Sequence, residues 1–174
     1  TTLEAGLRIG AALGLGAAVG LERQIGKHPA GFRTMTLISI GSAGFVLLVM
    51  EVGAGTSGMR SDSAAQATSR VLQGLTTGIG FLGAGTIVRA DKSVHGLTTA
   101  AAVWCVAAIG AACGLGEIAL ASMLTAASLL TLVVLKLCER SIRAFGPKNK
   151  DADAPHSQSA KGEKHSEAMS SDSD

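Results

Sequence analysis

The spacing of charged residues is the feature that most constrains how this chain can fold. Four stretches contain no Asp, Glu, Lys or Arg, and they cover residues 34–50, 71–88, 96–116 and 118–135. Because a helix rises about 1.5 Å per residue, about 20 apolar residues cross a hydrocarbon core about 30 Å thick. The four stretches, of 17 to 21 residues each, therefore predict membrane-spanning helices.

A fifth apolar segment near the start of the chain is interrupted by Glu4 and Arg8. It spans a membrane if the Arg8 side chain snorkels towards the near interface. The chain is therefore predicted to be an all-α polytopic membrane bundle with five transmembrane helices. These helices are predicted at about residues 3–21, 34–52, 70–88, 97–115 and 118–138.

Two alternatives to a membrane bundle explain less of the sequence. A secretory signal peptide would account for the first segment but not for the four that follow it. A buried bundle in a soluble protein would contain helices with one polar face, and residues 98–115 have none.

Composition supports the membrane bundle over other classes of protein. Hydrophobic residues make up 47% of the 174 residues, charged residues 16% and aromatic residues 3%, with 23 glycines. A disordered chain would be less apolar, a collagen would repeat glycine periodically, and a disulfide scaffold would space its cysteines as a framework. Residues 148–174 differ, since Met169 is their one large apolar side chain, and they are predicted to form a disordered polar cytoplasmic tail.

Lysine and arginine predict the orientation of the bundle. Five spans place loops 22–33 and 89–95 and the C-terminus on one side, which has ten Lys and Arg against three on the other. Because cytoplasmic loops are enriched in these residues, the N-terminus is predicted outside and the C-terminus inside. We expect a multi-pass protein of the cell inner (plasma) membrane, or of an organellar membrane if a targeting segment was removed before Thr1.

Glycines recur at helical spacing on the first, third and fourth predicted helices. Small residues let helix backbones approach closely in lipid, and several such faces also predict a homo-oligomer. The simpler interpretation is therefore helix packing, and the alternative, for residues 78–85, is a thinned or partly unwound backbone lining a cavity. The glycines with a predicted packing or cavity-lining role are Gly10, Gly14, Gly74, Gly78, Gly80, Gly83 and Gly85.

No combination of residues predicts an enzyme, a cofactor, a metal site or a nucleic-acid partner. Residues 78–83 match a dinucleotide-binding GxGxxG by letter, but they lie inside an apolar stretch. The acidic residues fall at predicted helix ends or in loops, whereas a cation pathway usually has an acid or a carbonyl filter at mid-membrane. The three cysteines form no CxxC motif and are interpreted as small buried residues.

Charged residues gather at the predicted cytoplasmic ends of the helices. Glu22 and Arg23 end the first helix, Arg33 precedes the second, and Asp91 lies in the next cytoplasmic loop. The simpler interpretation is interfacial anchoring with positive-inside charge. The alternative is a polar network that orders these loops and presents a docking surface.

Several separated blocks of the sequence resemble one family. Residues 20–23 (GLER) and 30–34 (AGFRT) are similar to the first loop of the MgtC/SapB family. Residues 78–87 (GIGFLGAGTI) and 94–105 (VHGLTTAAAVWC) are similar to its third and fourth helices. The blocks agree in order and spacing from about residue 7 to residue 135, with the same five-helix order.

The resemblance adds four residues to the candidate site, which are Thr98, Thr99, Trp104 and Cys105. Two departures accompany it. Family members of the MgtC type have Asn at the position of Thr98, and Thr has a hydroxyl but no amide. They also have a soluble ACT-like domain where this sequence has its polar tail.

The resemblance implies a small inner-membrane protein linked to magnesium homeostasis. MgtC-like members support growth at low magnesium and survival in host macrophages, a virulence-related role, and at least one resembles a regulator of the F-type ATP synthase. The first hypothesis is therefore a regulator in the lipid bilayer that contacts a partner complex such as ATP synthase or a cation transporter. The alternative is a magnesium or other ion transporter or channel, supported by the glycine-rich residues 78–85, and the weakest is a structural component without activity.

Overall fold

The structure is a computed structural model that describes the backbone of residues 2–55, 61–90 and 93–145. Side chains are described in these ranges except at 53–55, 61–64, 90, 135 and 138–145. Within these residues, the predicted all-α architecture with five helices is confirmed. The elements are α1 (Thr2–Ile25), α2 (Phe32–Gly55), α3 (Ser61–Gly85), β1 (Val88–Ala90), β2 (Ser93–His95), α4 (Leu97–Leu115) and α5 (Ile118–Phe145).

Three of the described helices are long and apolar enough to cross a membrane, namely α1, α2 and α4. Helix α5 contains a shorter apolar run, Ile118–Val134. Helix α3 was predicted at 70–88 but covers Ser61–Gly85, because a polar, alanine-containing segment continues the helix towards the N-terminus. The charge-free stretch therefore located only the apolar part of α3, and five membrane spans remain a prediction.

A short hairpin occupies the region predicted as the end of the third helix and a loop. Strands β1 and β2 pair antiparallel, with Val88 opposite His95 and Arg89 opposite Val94. Gly96 follows with a φ of 92°, and a Cβ there would overlap the carbonyl oxygen of Thr86. Only glycine fits this left-handed and crowded position, from which the chain turns into α4.

Helix α2 is packed between α1 and α4 through small residues. A Cβ at Gly20 of α1 would lie 2.8 Å from the Phe32 Cα, and one at Gly114 of α4 would lie 2.7 Å from the Ala43 carbonyl oxygen. Between these contacts, the fully buried Ser39 hydroxyl donates a hydrogen bond to the Ala12 carbonyl oxygen at 2.7 Å. Close backbone approach is therefore what joins these three helices.

The glycines that make these contacts recur at helical spacing, as expected for packing, but they are not among the seven chosen as candidate site residues. They are Gly16, Gly20, Gly110 and Gly114. A Cβ added at Gly10 or Gly14 of α1 meets nothing within 4 Å, whereas one at Gly16 would lie 2.5 Å from the Ser39 Cβ. Two residues rotate a helix by about 200°, so Gly14 and Gly16 lie on nearly opposite faces. Within the protomer, the prediction that Gly10 and Gly14 pack against another helix is wrong.

On α3 the predicted glycines also have open space. A Cβ meets nothing within 4 Å at Gly74, Gly78, Gly80 or Gly85, and one at Gly83 makes only ordinary contact with α4, at 3.7 Å or more. The backbone is helical through Gly85, so the predicted unwinding at 78–85 is also wrong. The α-helical hydrogen bonds persist there despite the low helix propensity of glycine.

We expect Gly110→Ala to destabilise the bundle. A Cβ at Gly110 would overlap the Ser39 carbonyl oxygen of α2, and overpacking of this kind costs about 1–3 kcal/mol. The matched control is Gly10→Ala, where a Cβ meets nothing within 4 Å. Thermal unfolding of the purified protein in detergent should show a lower midpoint for Gly110→Ala alone, and equal midpoints for the two variants would contradict the packing described here.

Candidate functional site

A buried arginine joins the end of α1 to the beginning of α4. Arg23 lies in the last turn of α1, is 1% exposed, and donates from Nη2 to the Thr99 Oγ1 at 2.8 Å. Thr99 lies in the first turn of α4 and is also buried. The bond places the C-terminal end of α1 beside the N-terminal end of α4, so the two helices run antiparallel.

Further ionisable groups surround this bond. Glu22 is close enough to Arg23 for their charges to attract, and its Oε1 lies 3.8 Å from the Lys136 Nζ of α5. His28, in the loop after α1, interacts electrostatically with Glu22, Arg23 and Lys136. We call these five residues the charged cluster, and its members are Glu22, Arg23, His28, Thr99 and Lys136.

The charged cluster is only partly satisfied. The Glu22 Oε2 and the Arg23 Nε are buried, and neither has a hydrogen-bond partner among the described residues. A buried charged atom without a partner costs at least about 1–3 kcal/mol. Most buried polar atoms in proteins are paired, so two unpaired atoms on adjacent residues indicate a candidate functional site.

The loop between α1 and α2 folds His28 back onto the charged cluster. The His28 N–H donates to the Arg23 carbonyl oxygen at 3.1 Å, and Lys27 adopts the left-handed conformation with a φ of 55°. Burial lowers the pKa of His28, and the nearby positive charges of Arg23 and Lys136 lower it further. The negative charge of Glu22 raises the pKa of His28 but does not cancel these effects. His28 is therefore neutral at pH 7, and the positive charge of the cluster belongs to Arg23 and Lys136.

The opposite end of α1 contains a second arginine contact. Arg8 pairs with Glu4 one turn away, and its Nη1 donates to the Gly114 carbonyl oxygen of α4 at 2.9 Å. The positive guanidinium suits the C-terminal end of α4, where the helix dipole is negative. Instead of extending only towards an interface, as the sequence suggested, Arg8 binds α1 to α4.

The structure brings together some of the predicted site residues and separates others. Glu22, Arg23 and Thr99 meet in the charged cluster, whereas Arg33 is exposed and lines a separate polar groove with Gln24. Thr98 is exposed. Asp91 lies outside the described residues.

Two members of the charged cluster were not predicted as site residues. His28 and Lys136 are far apart in the sequence, and Lys136 is one of the ten Lys and Arg residues counted above for the orientation of the bundle. The helical phase of α5 that brings Lys136 to Glu22 depends on tertiary packing. The signal that could have found it is charge complementarity between two ends predicted on the same side of the membrane.

The other two residues added by the resemblance, Trp104 and Cys105, also lie on α4. Trp104 is 47% exposed and lines an apolar groove between α3, α4 and α5. Cys105 is exposed, so its interpretation as a buried residue is wrong, whereas Cys113 is buried as expected. Among the described residues, no three His, Cys, Asp or Glu side chains cluster as metal ligands would.

These features define a helical membrane protein in which Arg23 and Glu22, at the end of α1, join this helix to α4 and α5. A model of the MgtC family matches residues 9–141, and the chain belongs to this family. The resemblance of residues 7–135 is thereby confirmed.

Named relatives agree with this assignment. The chain is 43% identical over 140 residues to protein SrpB of Synechococcus elongatus. The matched region covers 76% of this chain and 71% of SrpB. It is 39% identical over 115 residues to protein MgtC of Salmonella typhimurium and 41% identical over 104 residues to protein MgtC of Brucella abortus. These two matches cover 66% and 60% of this chain but only 42% and 40% of the relatives. No solved structure matches the chain.

We expect Thr99→Val to destabilise the protein by about 1.5–3 kcal/mol, the usual contribution of a hydrogen bond to a charged group. Valine removes the acceptor and leaves the buried Arg23 without its partner. The matched control is Thr98→Val at the exposed neighbouring position. The free energy of unfolding measured in detergent should fall for Thr99→Val but not for Thr98→Val, and Thr99→Ser should recover it. Similar values for the two valine variants would count against the Arg23–Thr99 bond.

We also expect the stability of the protein to fall as the pH drops below about 6.5, the ordinary pKa of histidine. Because the folded pKa of His28 is lower, the unfolded state binds more protons between the two values, and the free energy of unfolding decreases with decreasing pH there. His28→Gln should reduce this decrease between pH 7 and pH 5 in thermal unfolding measurements. An unchanged pH dependence in the variant would show that His28 is not held neutral by the cluster.

Proposed function

We propose that this chain is a regulatory membrane protein of the MgtC family, linked to magnesium homeostasis and adaptation to low magnesium. It acts by contact with a partner membrane complex, such as ATP synthase or a cation transporter. Membership of the family supports the link to magnesium. The charged cluster supports contact as the mode of action.

The observation that favours contact over transport is the placement of the charges. Arg23 is bound to Thr99, Arg8 to Glu4 and α4, and both arginines lie near the ends of α1. A transport pathway needs ionisable groups or free carbonyls near the membrane centre. In the described part of the chain, Arg8, Glu22 and Arg23 lie near the ends of α1, and Arg70 and Lys136 lie within α3 and α5 but just outside their apolar stretches. Helix α3 is also helical through its glycines.

The proposed arrangement has five spans, with the N-terminus outside and the C-terminus inside the cell inner membrane. The antiparallel contact of α1 with α4 at both ends agrees with this topology, since four spans in sequence alternate in direction. The charged cluster then lies on the cytoplasmic side. The predicted tail at 148–174 lies outside the described residues.

The partner is expected to meet the cytoplasmic end near Arg33. This side chain is exposed beside a polar groove of about 500 Å³ that Gln24 and Thr34 also line. Glu22, which faces Lys136, lies two residues before Gln24 in the last turns of α1. The buried cluster would hold the exposed face in one arrangement for docking.

Photo-crosslinking in native membranes tests this function. A photoreactive residue at Arg33 should capture a subunit of one membrane complex in cells grown at low magnesium, and one at Glu117 should not. Glu117 is a matched control because it is also exposed but lies at the opposite end of the bundle, after α4. Thr99→Val should weaken capture from position 33, and equal capture from both positions would contradict a docking face at this end.

A further inference from the structure

A further groove, between α2 and α3, differs from the charged cluster in its chemistry. Its volume is about 540 Å³, and seven of its eight lining residues are apolar or glycine. Ile79 forms its buried floor, and Phe45 and Leu82, which are 61% and 50% exposed, stand at its sides. Gly74 and Gly78 keep it open, since a Cβ at either glycine meets nothing within 4 Å.

The remaining lining residue is Arg70, which precedes the apolar part of the groove on α3. Among the residues that the structure describes, none forms a hydrogen bond or an ion pair with its guanidinium. Arg8 differs in this respect, because Glu4 neutralises it. Arg70 therefore places a positive charge, which no described residue pairs, at one end of an apolar groove.

The length of the groove fits one leaflet of a bilayer. From Val71 to Leu82 the helix rises about 17 Å, at about 1.5 Å per residue. One leaflet contributes about half of a hydrocarbon core about 30 Å thick. With five spans as proposed above, Arg70 lies at the outer headgroup level and the groove runs inwards from it.

We propose that this groove binds an anionic membrane phospholipid, with one acyl chain against Gly74, Gly78 and Ile79 and the phosphate paired with Arg70. Arginine recognises phosphate through paired N–H donors, and the apolar groove excludes a hydrated ligand. A second copy of the chain is less suitable as the occupant. A symmetric contact between parallel copies would bring two Arg70 side chains to the same membrane level, and like charges repel.

Native mass spectrometry of the full chain in a non-ionic detergent tests the proposal. Phosphatidylglycerol and phosphatidylcholine with the same acyl chains are added at equal concentrations. The wild type should retain the anionic lipid about fivefold more than the zwitterionic one, as expected for one basic residue at a membrane surface.

Arg70→Gln should remove this preference, and Arg70→Lys should keep it. Arg89→Gln, at an exposed position on the inner side, is the control and should also keep it.

A second pair of variants tests the groove itself. Gly74→Leu should fill it and lower the retention of both lipids, whereas Gly80→Leu, on the same helix and with equally open space, should not. Equal retention of the two lipids by the wild type would overturn the proposal, as would a preference that survives Arg70→Gln. If Gly74→Leu instead converts a dimer to a monomer with lipid retention unchanged, a second copy occupies the groove. These results do not depend on the magnesium-linked function proposed above.

Discussion

The close approach of α1 and α4 to the backbone of α2 is the contact on which the rest of the structure depends. Around Ser39, the helices touch through glycines and a serine hydroxyl, so a single methyl group at Gly110 would separate them. Burial of apolar side chains cannot supply this association, because lipid is as apolar as the side chains themselves. With the backbones this close, the ends of α1 and α4 lie near enough for Arg23 to reach Thr99 and for Arg8 to reach the carbonyl of Gly114.

The two ends of the bundle use their arginines differently, and this difference connects packing to function. At the end near Gly114, Arg8 is neutralised by Glu4 and only joins helices. At the other end, Arg23 is buried with one bonded and one unpaired donor group beside Glu22, which also has an unpaired oxygen. Such a site resists rearrangement of the helix ends, because separating them would break the Arg23–Thr99 bond and leave the buried guanidinium without this partner, at a cost of about 1.5–3 kcal/mol. It is therefore suited to hold a docking face in one arrangement.

Much of this fold could be predicted from the sequence, because charge-free stretches mark helices in a membrane protein whatever the details of packing. The family could be predicted as well, from blocks that recur in order. What could not be predicted depends on helical phase. Periodicity reveals that Gly14 and Gly16 are both available for contact but not that only Gly16 faces α2. In the same way, the sequence does not show which of the adjacent Thr98 and Thr99 binds Arg23. The rotation of α4 about its axis places Thr99, and not Thr98, beside the guanidinium. The predicted start of α3 was wrong for another reason, because polar residues can extend a helix beyond its apolar part.

We propose that the chain acts by contact and does not itself move magnesium. The most direct measurement is magnesium uptake into liposomes that contain the purified full chain, followed with an entrapped magnesium-sensitive dye. A known magnesium channel in the same lipid is the positive control, and empty liposomes are the negative one. We expect uptake no faster than in empty liposomes, since the charged side chains of the described residues lie near the ends of the apolar stretches and α3 is unbroken. Uptake at the rate of the channel control would contradict it.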